Sequence, residues 1–324
     1  MVKMDLFKDN HPFSSFAHID LAKARVSRDS PTIFVCGGLV DVTSADIKSV
    51  RDLFFESMSK LGHDEFHHYC IRAETFKDYK DDGRYKDLSE FENDLAHFAS
   101  LLIIFLESAG AIVELGLFCN GEGLREKLLV FVNEYHYEQD SFIRHGPLES
   151  LKQDNDSSVF VYPWDMHNPG SLGDEIMDII FGDILETISR IPKSEKFLIS
   201  NPGHQAFLIY ECIRLYRALR IGEIQKLIAI HDINLSDRRI KNLIYLLRIS
   251  DLVGIKTFGK DTFYYALRDE KKVSLTSKSK GQPFDYEGTR IAASVYYYEN
   301  RSERLRQHAI DSVYPKGEEE NVTD

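Results

Sequence analysis

Four short runs in this chain are apolar or aromatic at nearly every position: residues 32–36 (TIFVC), 101–106 (LLIIFL), 128–132 (LLVFV) and 159–162 (VFVY). A strand with one wet face alternates apolar and polar residues, so unbroken runs of this length predict strands buried on both faces. Helical spacing fills the gaps between them. After Ser44, a candidate N-cap, the residues Ile47, Val50, Leu53, Phe54 and Met58 recur three and four apart. Phe91, Leu95 and Phe98 repeat the pattern, residues 115–124 read as a helix, and residues 172–191 form a last amphipathic helix. Residues 66–71 read as one more strand. Buried strands alternating with helices require a parallel sheet covered on both sides. The expected fold class is therefore α/β, a doubly wound parallel sheet, followed by a smaller domain of different pattern.

That second pattern starts after a polar linker bounded by Pro192 and Pro202. Helices are expected over 207–219, 221–230 and 236–249, then strands 253–258 and 262–267 around Gly259-Lys260-Asp261. Three helices and a hairpin predict a winged helix. The expected division is an N-terminal extension (1–30), the α/β domain (31–192), the winged helix (203–268) and a polar tail (269–324) with a helical piece near 294–305. A chain of 324 residues exceeds what one core ordinarily organises.

Composition excludes several classes. With 43% hydrophobic and 12% aromatic residues the chain is not of disordered type. The six-residue run at 101–106 is far short of the roughly 20 residues that cross a bilayer. The opening MVKMDLFKDNHPF lacks the basic region and apolar core of a secretory signal. Cys36, Cys70, Cys119 and Cys212 lie far apart without a CxxC pair, which argues against a disulfide framework or zinc site. A cytoplasmic protein with no membrane partner is expected. The net charge is −12, yet residues 201–268 hold eleven Lys and Arg against six Asp and Glu. A polyanion would have to meet that basic segment.

In a parallel sheet, ligands collect beyond the carboxyl ends of the strands. The residues following the first three strands are Gly37-Gly38, Glu74 and the segment SAGAIVE from Ser108 to Glu114. Gly37 and Gly38 would let backbone approach a bound group, although such a pair also simply marks a turn. Glu114 is expected in the first turn or so of its helix, where the helix dipole favours an ionised carboxylate. A first-turn Glu can equally be a plain helix stabiliser. No GxGxxG or GxxxxGK motif is present, against an ordinary dinucleotide or P-loop site. His67 and His68 would alternate across a strand, so no metal is expected.

The order IFVCGG (33–38), Glu74, then LLIIFLESAGAIVELGLFCNGEGLREKLLVFVN (101–133) resembles the nucleoside 2-deoxyribosyltransferase-like domain. It is similar above all to retron effectors, the antiphage proteins that join such a domain to a C-terminal winged helix. The resemblance covers most of residues 31–150, carried by Gly110, Glu114, Leu115, Gly116 and Asn120 and continuing through SFIRHGP at 141–147. In the transferases the matching segment reads Asp-x-Gly-Thr-x-x-Glu, with Glu as nucleophile toward the anomeric carbon and Asp assisting the base. Here Glu114 and Gly110 match, but Ser108 replaces the Asp and Ala111 the Thr.

Loss of that Asp argues against base exchange, which needs a proton for a neutral base to leave. Nicotinamide in NAD+ is a pyridinium that departs neutral, so a carboxylate alone could suffice. The resemblance thus implies an N-glycosidase acting on NAD+ as substrate, with no separate cofactor. Glu114 would be catalytic, and Gly37, Gly38, Glu74, Ser108, Gly110 and Asn120 would bind substrate. Asn120 could equally cap its helix. It further implies toxicity restrained by a reverse transcriptase and its multicopy single-stranded DNA, in a homo-oligomer or larger assembly. Arg238, Arg239 and Lys241, opening the third helix of the winged helix, are the expected nucleic-acid contacts. Two alternatives stay open: a nucleotide-sensing winged-helix regulator without catalysis, and a base-exchanging transferase.

Overall fold

The computed structural model describes residues 11–41, 43–44, 46–72, 85–279 and 282–314. In chain order the elements begin β1 (Arg25–Ser27), β2 (Ile33–Cys36), α1 (Val50–Lys60), α2 (Phe66–Tyr69), β3 (Cys70–Ile71), α3 (Leu88–Phe98), β4 (Leu101–Leu106) and α4 (Ala109–Cys119). There follow β5 (Leu128–Asn133), α5 (Glu134–Glu138), α6 (Glu149–Asp154), β6 (Val159–Tyr162), α7 (Gly173–Arg190) and β7 (Ser194–Lys196). The rest are α8 (Pro202–Tyr216), β8 (Ala218–Leu219), α9 (Ile221–Ala229), α10 (Asp237–Ile249), β9 (Val253–Phe258), β10 (Asp261–Ala266), β11 (Val273–Ser274), α11 (Tyr286–Glu299) and α12 (Arg304–Val313). They fall into two compact units, one within residues 28–193 and the other comprising 11–27, Tyr85 and 194–314.

The first unit is built on a five-stranded sheet of order β3-β2-β4-β5-β6, parallel throughout. Every residue of β2, β4 and β5 is buried, as a sheet covered on both faces demands. Alternate side chains supply the two layers. Ile33, Val35, Ile103, Phe105 and Phe131 join Phe54 of α1 and Phe181 of α7 in one core, where the Phe54 and Phe181 rings stack at 4.9 Å. Phe34, one residue out of phase, meets Phe118 of α4 on the other face.

Two local expectations shift. The helix expected from Ser44 starts at Ser49, whose side chain accepts from Asp52 N at 2.9 Å. Asp52 in turn accepts from the backbone of Asp41 and Lys48, which organises the preceding residues as a loop. Residues 66–71, read as one strand, divide into the short α2 and a two-residue strand, because Phe66 is fully buried against Phe54 and Phe181.

In the second unit, α8, α9 and α10 precede the β9–β10 hairpin, with Gly259 at φ +60° between its strands. β8 adds a third antiparallel strand, giving the order β8-β10-β9. Residues 11–27 also belong here. Phe13 and Phe16 are buried, Phe13 lies edge-on to Tyr216 at 4.7 Å, and β1 pairs with both β7 and β11. After residue 268, where one helical piece was expected near 294–305, the chain forms α11 and α12 with a break at Asn300. Among the described residues no helix is long and apolar enough to cross a membrane.

α12 is tied in by Arg306, which is 1% exposed. Its guanidinium donates to Glu303, Glu223 and Ala218 O, and lies 4.7 Å over the Tyr297 ring. Removing one partner of a buried ion pair leaves the other charge unpaired, at a cost of about 3–5 kcal/mol. Arg306→Met should destabilise the chain by that order in urea unfolding, and Glu223→Gln added to it should recover part of the loss. Burial pushes the Glu223 carboxyl up, but the charge and hydrogen bonds of Arg306 together with those of Arg220 hold it below its ordinary value. The stabilisation is therefore present above the unfolded carboxyl value of about 4.3 and is lost as pH falls through the lower folded value. A flatter acid profile for Arg306→Met than for the parent chain is the expected result.

Candidate functional site

The strand order places a switch point between β2 and β4: the chain leaves β2 toward β3 on one side and β4 toward β5 on the other. A crevice opens beyond strand ends at such a point. The residues there are Gly37 and Gly38 after β2, and Glu107 and Ser108 after β4.

Glu107, absent from the sequence-based candidates, organises this end of the sheet. Its Oε1 accepts from Gly38 N and Arg51 N, both at 3.0 Å, and its Oε2 accepts from Val50 N at 2.7 Å. The N-terminus of α1, where a helix offers free N–H groups to an anion, is thus filled from within. Burial pushes the Glu107 carboxyl above its ordinary value, opposed by those three N–H bonds and by the charge of Arg51. Arg51 is itself 2% exposed.

The glycine pair is required by this packing. A Cβ on Gly38 would lie 2.5 Å from Ser49 Cβ and 3.1 Å from Glu107 Oε1, and one on Gly37 would lie 3.0 Å from Arg51 Cβ. Ser108 is the N-cap of α4: its Oγ accepts from Ala111 N at 3.1 Å and donates to Gly37 O at 3.0 Å. One hydroxyl thereby joins the end of β2 to the start of α4. Gly110 is exposed in the first turn of α4, and a Cβ there would meet only Ser108 Oγ, at 3.8 Å.

Glu114 is the sixth residue of α4, one turn deeper than the sequence suggested, because the helix begins at Ala109 rather than near 115. It is half-buried, and its Oε2 is shut off from solvent. The Cys36 thiol, fully buried at the end of β2, lies within electrostatic range of the Glu114 side chain. Burial pushes that thiol well above its ordinary value, and the charges of Glu114 and then Glu92 push it further, against Arg51. Cys36 is consequently a neutral thiol close to Glu114. Glu92 of α3, a second half-buried carboxylate in electrostatic range, is also new to the site.

Asn120 is the C-cap of α4, with Nδ2 donating to Gly116 O at 2.8 Å. Six residues beyond Glu114, it stands roughly 9 Å along the helix and on a different face. Glu74 lies outside the described residues. Arg238 and Lys241 are exposed and Arg239 is half-buried at the opening of α10, after the N-cap Ser236. Among the described residues no His, Cys, Asp and Glu cluster could hold a metal ion. His67 lies on a helical turn and contacts Ser59 Oγ through Nε2.

These features define a parallel α/β protein with a shielded carboxylate at its switch point, carried in one chain with a largely helical unit that contains an antiparallel hairpin. The chain belongs to the retron effector family described as STM3845 retron effector protein, whose model matches residues 47–255. It is 33% identical over 128 residues to the Escherichia coli protein named "Retron Ec86 putative ribosyltransferase/DNA-binding protein", an alignment covering 40% of this chain and 39% of that one. It is 26% identical over 255 residues to "Retron Ec73 putative ribosyltransferase/DNA-binding protein" of the same organism, covering 74% of this chain and 77% of that one.

Glu107→Gln keeps the shape but offers one acceptor oxygen in place of two charged ones. A loss of about 1–3 kcal/mol in chemical unfolding is expected. Gly38→Ala should cost a similar amount by overpacking against Ser49. Unchanged midpoints for both would remove Glu107 from its organising role.

Proposed function

We propose that this chain is the toxic effector of a retron antiphage defence system and hydrolyses the N-glycosidic bond of NAD+ or a related nucleotide, with Glu114 as the catalytic carboxylate. The observation that carries the proposal is the placement of Glu114: half-buried in α4, the helix that follows β4 at the switch point, with the buried Cys36 thiol nearby. Family membership and the ribosyltransferase wording in both relatives' names favour chemistry at an anomeric carbon.

In the reaction the C1′–N bond breaks and its electron pair passes to the pyridinium nitrogen, so nicotinamide leaves neutral. The sugar acquires oxocarbenium character. Glu114 stabilises that cation or captures it as an ester, and water completes hydrolysis to ADP-ribose and a proton. No proton need reach the leaving group, which suits a chain whose Ser108 is committed to capping α4.

The helices α8 to α10 with their hairpin act, in this proposal, as a winged helix. Arg238, Arg239 and Lys241 would meet nucleic acid or the reverse transcriptase that carries it, and assembly with those partners would restrain the toxin. The DNA-binding wording of the relatives' names supports this use of the basic segment.

Incubation of the chain with NAD+, with and without retron reverse transcriptase and multicopy single-stranded DNA, followed by chromatography, tests the activity. Glu114→Gln should lower turnover at least ~10³-fold, the scale at which one essential transition-state group acts, with an unchanged unfolding midpoint. Cys36→Ala should lower kcat more than it raises KM, and Cys36→Ser should restore part of it. Unimpaired NAD+ cleavage by Glu114→Gln would end the proposal. Toxicity that survives loss of this carboxylate would favour the nucleotide-sensing regulator, and deoxyribose transfer between bases would favour the transferase.

A further inference from the structure

A cavity of about 300 Å³ within the second unit is lined by Arg214, Arg217, Arg268, Asp269, Arg290 and Tyr314, together with neighbouring backbone segments. Four arginines line it, from α8, the turn after it, the segment after β10, and α11. We propose that this cavity is a phosphate-binding pocket that takes a phosphoryl group of a nucleotide or nucleic acid.

The carboxylates near the pocket do not consume its charge. Asp269 Oδ1 accepts from Arg214 Nη1 at 2.8 Å and Arg290 Nη2 at 2.5 Å, and its Oδ2 accepts from Arg290 Nη1 at 3.0 Å. Glu211 holds the back of Arg214 and also accepts from the backbone of Lys272 and Val273. Glu287, 3.7 Å from Arg290, is 78% exposed and strongly screened. Neither Arg217 nor Arg268 lies within ion-pair distance of a carboxylate among the described residues. Arg290 Nε is closed off from solvent without an acceptor among them.

Arg217 shows that the arrangement is held against a local cost. It is one of three non-glycine residues with positive φ among those described, at φ +62° and ψ −43°. Such a conformation persists where the surroundings impose it. It sets the guanidinium 4.6 Å over the Tyr314 ring, whose hydroxyl is fixed by donation to Ala266 O. Planar guanidinium forks match phosphate oxygens in pairs, and the volume is at the small end for ligand sites. It suits a phosphoryl group with part of its sugar, not a whole dinucleotide. Asp269 acts as an internal anion that preorganises Arg214 and Arg290, while Arg217 and Arg268 keep donors for the ligand.

This pocket is separate from the basic residues that open α10. Ala266 at its wall pairs with Val253, just beyond the C-terminal end of α10. Arg238 is at the other end of that 13-residue helix, about 20 Å away. The inference is also independent of the glycosidase proposal, because no residue is shared.

Thermal unfolding of the full chain in inorganic phosphate, against chloride at matched ionic strength, reads occupancy directly. Phosphate should raise Tm in the parent chain and in Lys226→Gln, and the rise should vanish in Arg217→Gln and in Arg268→Gln. Anisotropy of a labelled single-stranded oligonucleotide, with AMP as competitor, separates the sources. Displacement by AMP identifies a free nucleotide phosphate; dependence on a 5′-phosphate without AMP displacement identifies a strand end; equal but Arg217-dependent binding of 5′-hydroxyl strands identifies backbone diesters. Absence of a phosphate-specific rise in the parent chain, or the same rise in both arginine variants, overturns the pocket.

Discussion

A single carboxylate, that of Glu107, sets the geometry at the mouth of the sheet by accepting three backbone N–H groups from the loop after β2 and the start of α1. Each bond alone is modest, but a buried carboxylate that lost them would be costly to keep ionised. Gly37 and Gly38 follow from this demand, since any side chain there would collide with Ser49, Arg51 or Glu107. So does the place of the candidate chemistry. In many nucleotide-binding α/β proteins the first helix after the glycine turn receives the phosphates; here that helix end is already satisfied by Glu107, and the candidate carboxylate is carried by α4 instead.

The sheet was legible because its central strands are apolar at every position, and that pattern admits few structures besides a doubly covered parallel sheet. Glu114 was legible through its motif. Its depth in α4 was not, because residues 109–113 are Ala, Gly, Ala, Ile and Val, which carry no polar face to signal a helix start beyond the Ser108 cap. Glu107 was passed over although it directly follows LLIIFL. A carboxylate at the exit of a buried strand must find donors, and only the packed structure shows that they come from the loop after β2 and the start of α1, 56 to 69 residues earlier. The same limit applies to Cys36, a small apolar residue by sequence that the fold buries within electrostatic range of Glu114. Phe66 misled in the opposite direction, since a lone aromatic among His residues reads as strand and is here the buried end of a helical turn.

The family match spans residues 47–255, and its limits divide the features of the chain in a useful way. It contains Arg51, Glu92, Glu107, Ser108 and Glu114, the polar residues that meet at the strand ends. It stops short of Cys36 on one side and of Arg268, Asp269, Arg290 and Tyr314 on the other. Arg214 and Arg217 of the arginine pocket fall inside the matched range, whereas Cys36 and the pocket's remaining charged residues fall outside it.

Buried arginine is used in two distinct ways in the second unit. Arg306 is saturated: its nitrogens meet Glu223, Glu303 and a backbone carbonyl, its face meets Tyr297, and what remains is a staple between α12 and α9. The group around Asp269 is not saturated, because one carboxylate serves two guanidiniums while two more stand beside it without a partner at ion-pair distance among the described residues. Clustered like charges repel, and exposure at a cavity mouth only partly screens them. A fold that needed only a staple there would gain by replacing Arg217 with a residue at ease in its backbone conformation. Retaining a strained arginine next to three others is accounted for if an anion enters and returns the lost electrostatic energy on binding.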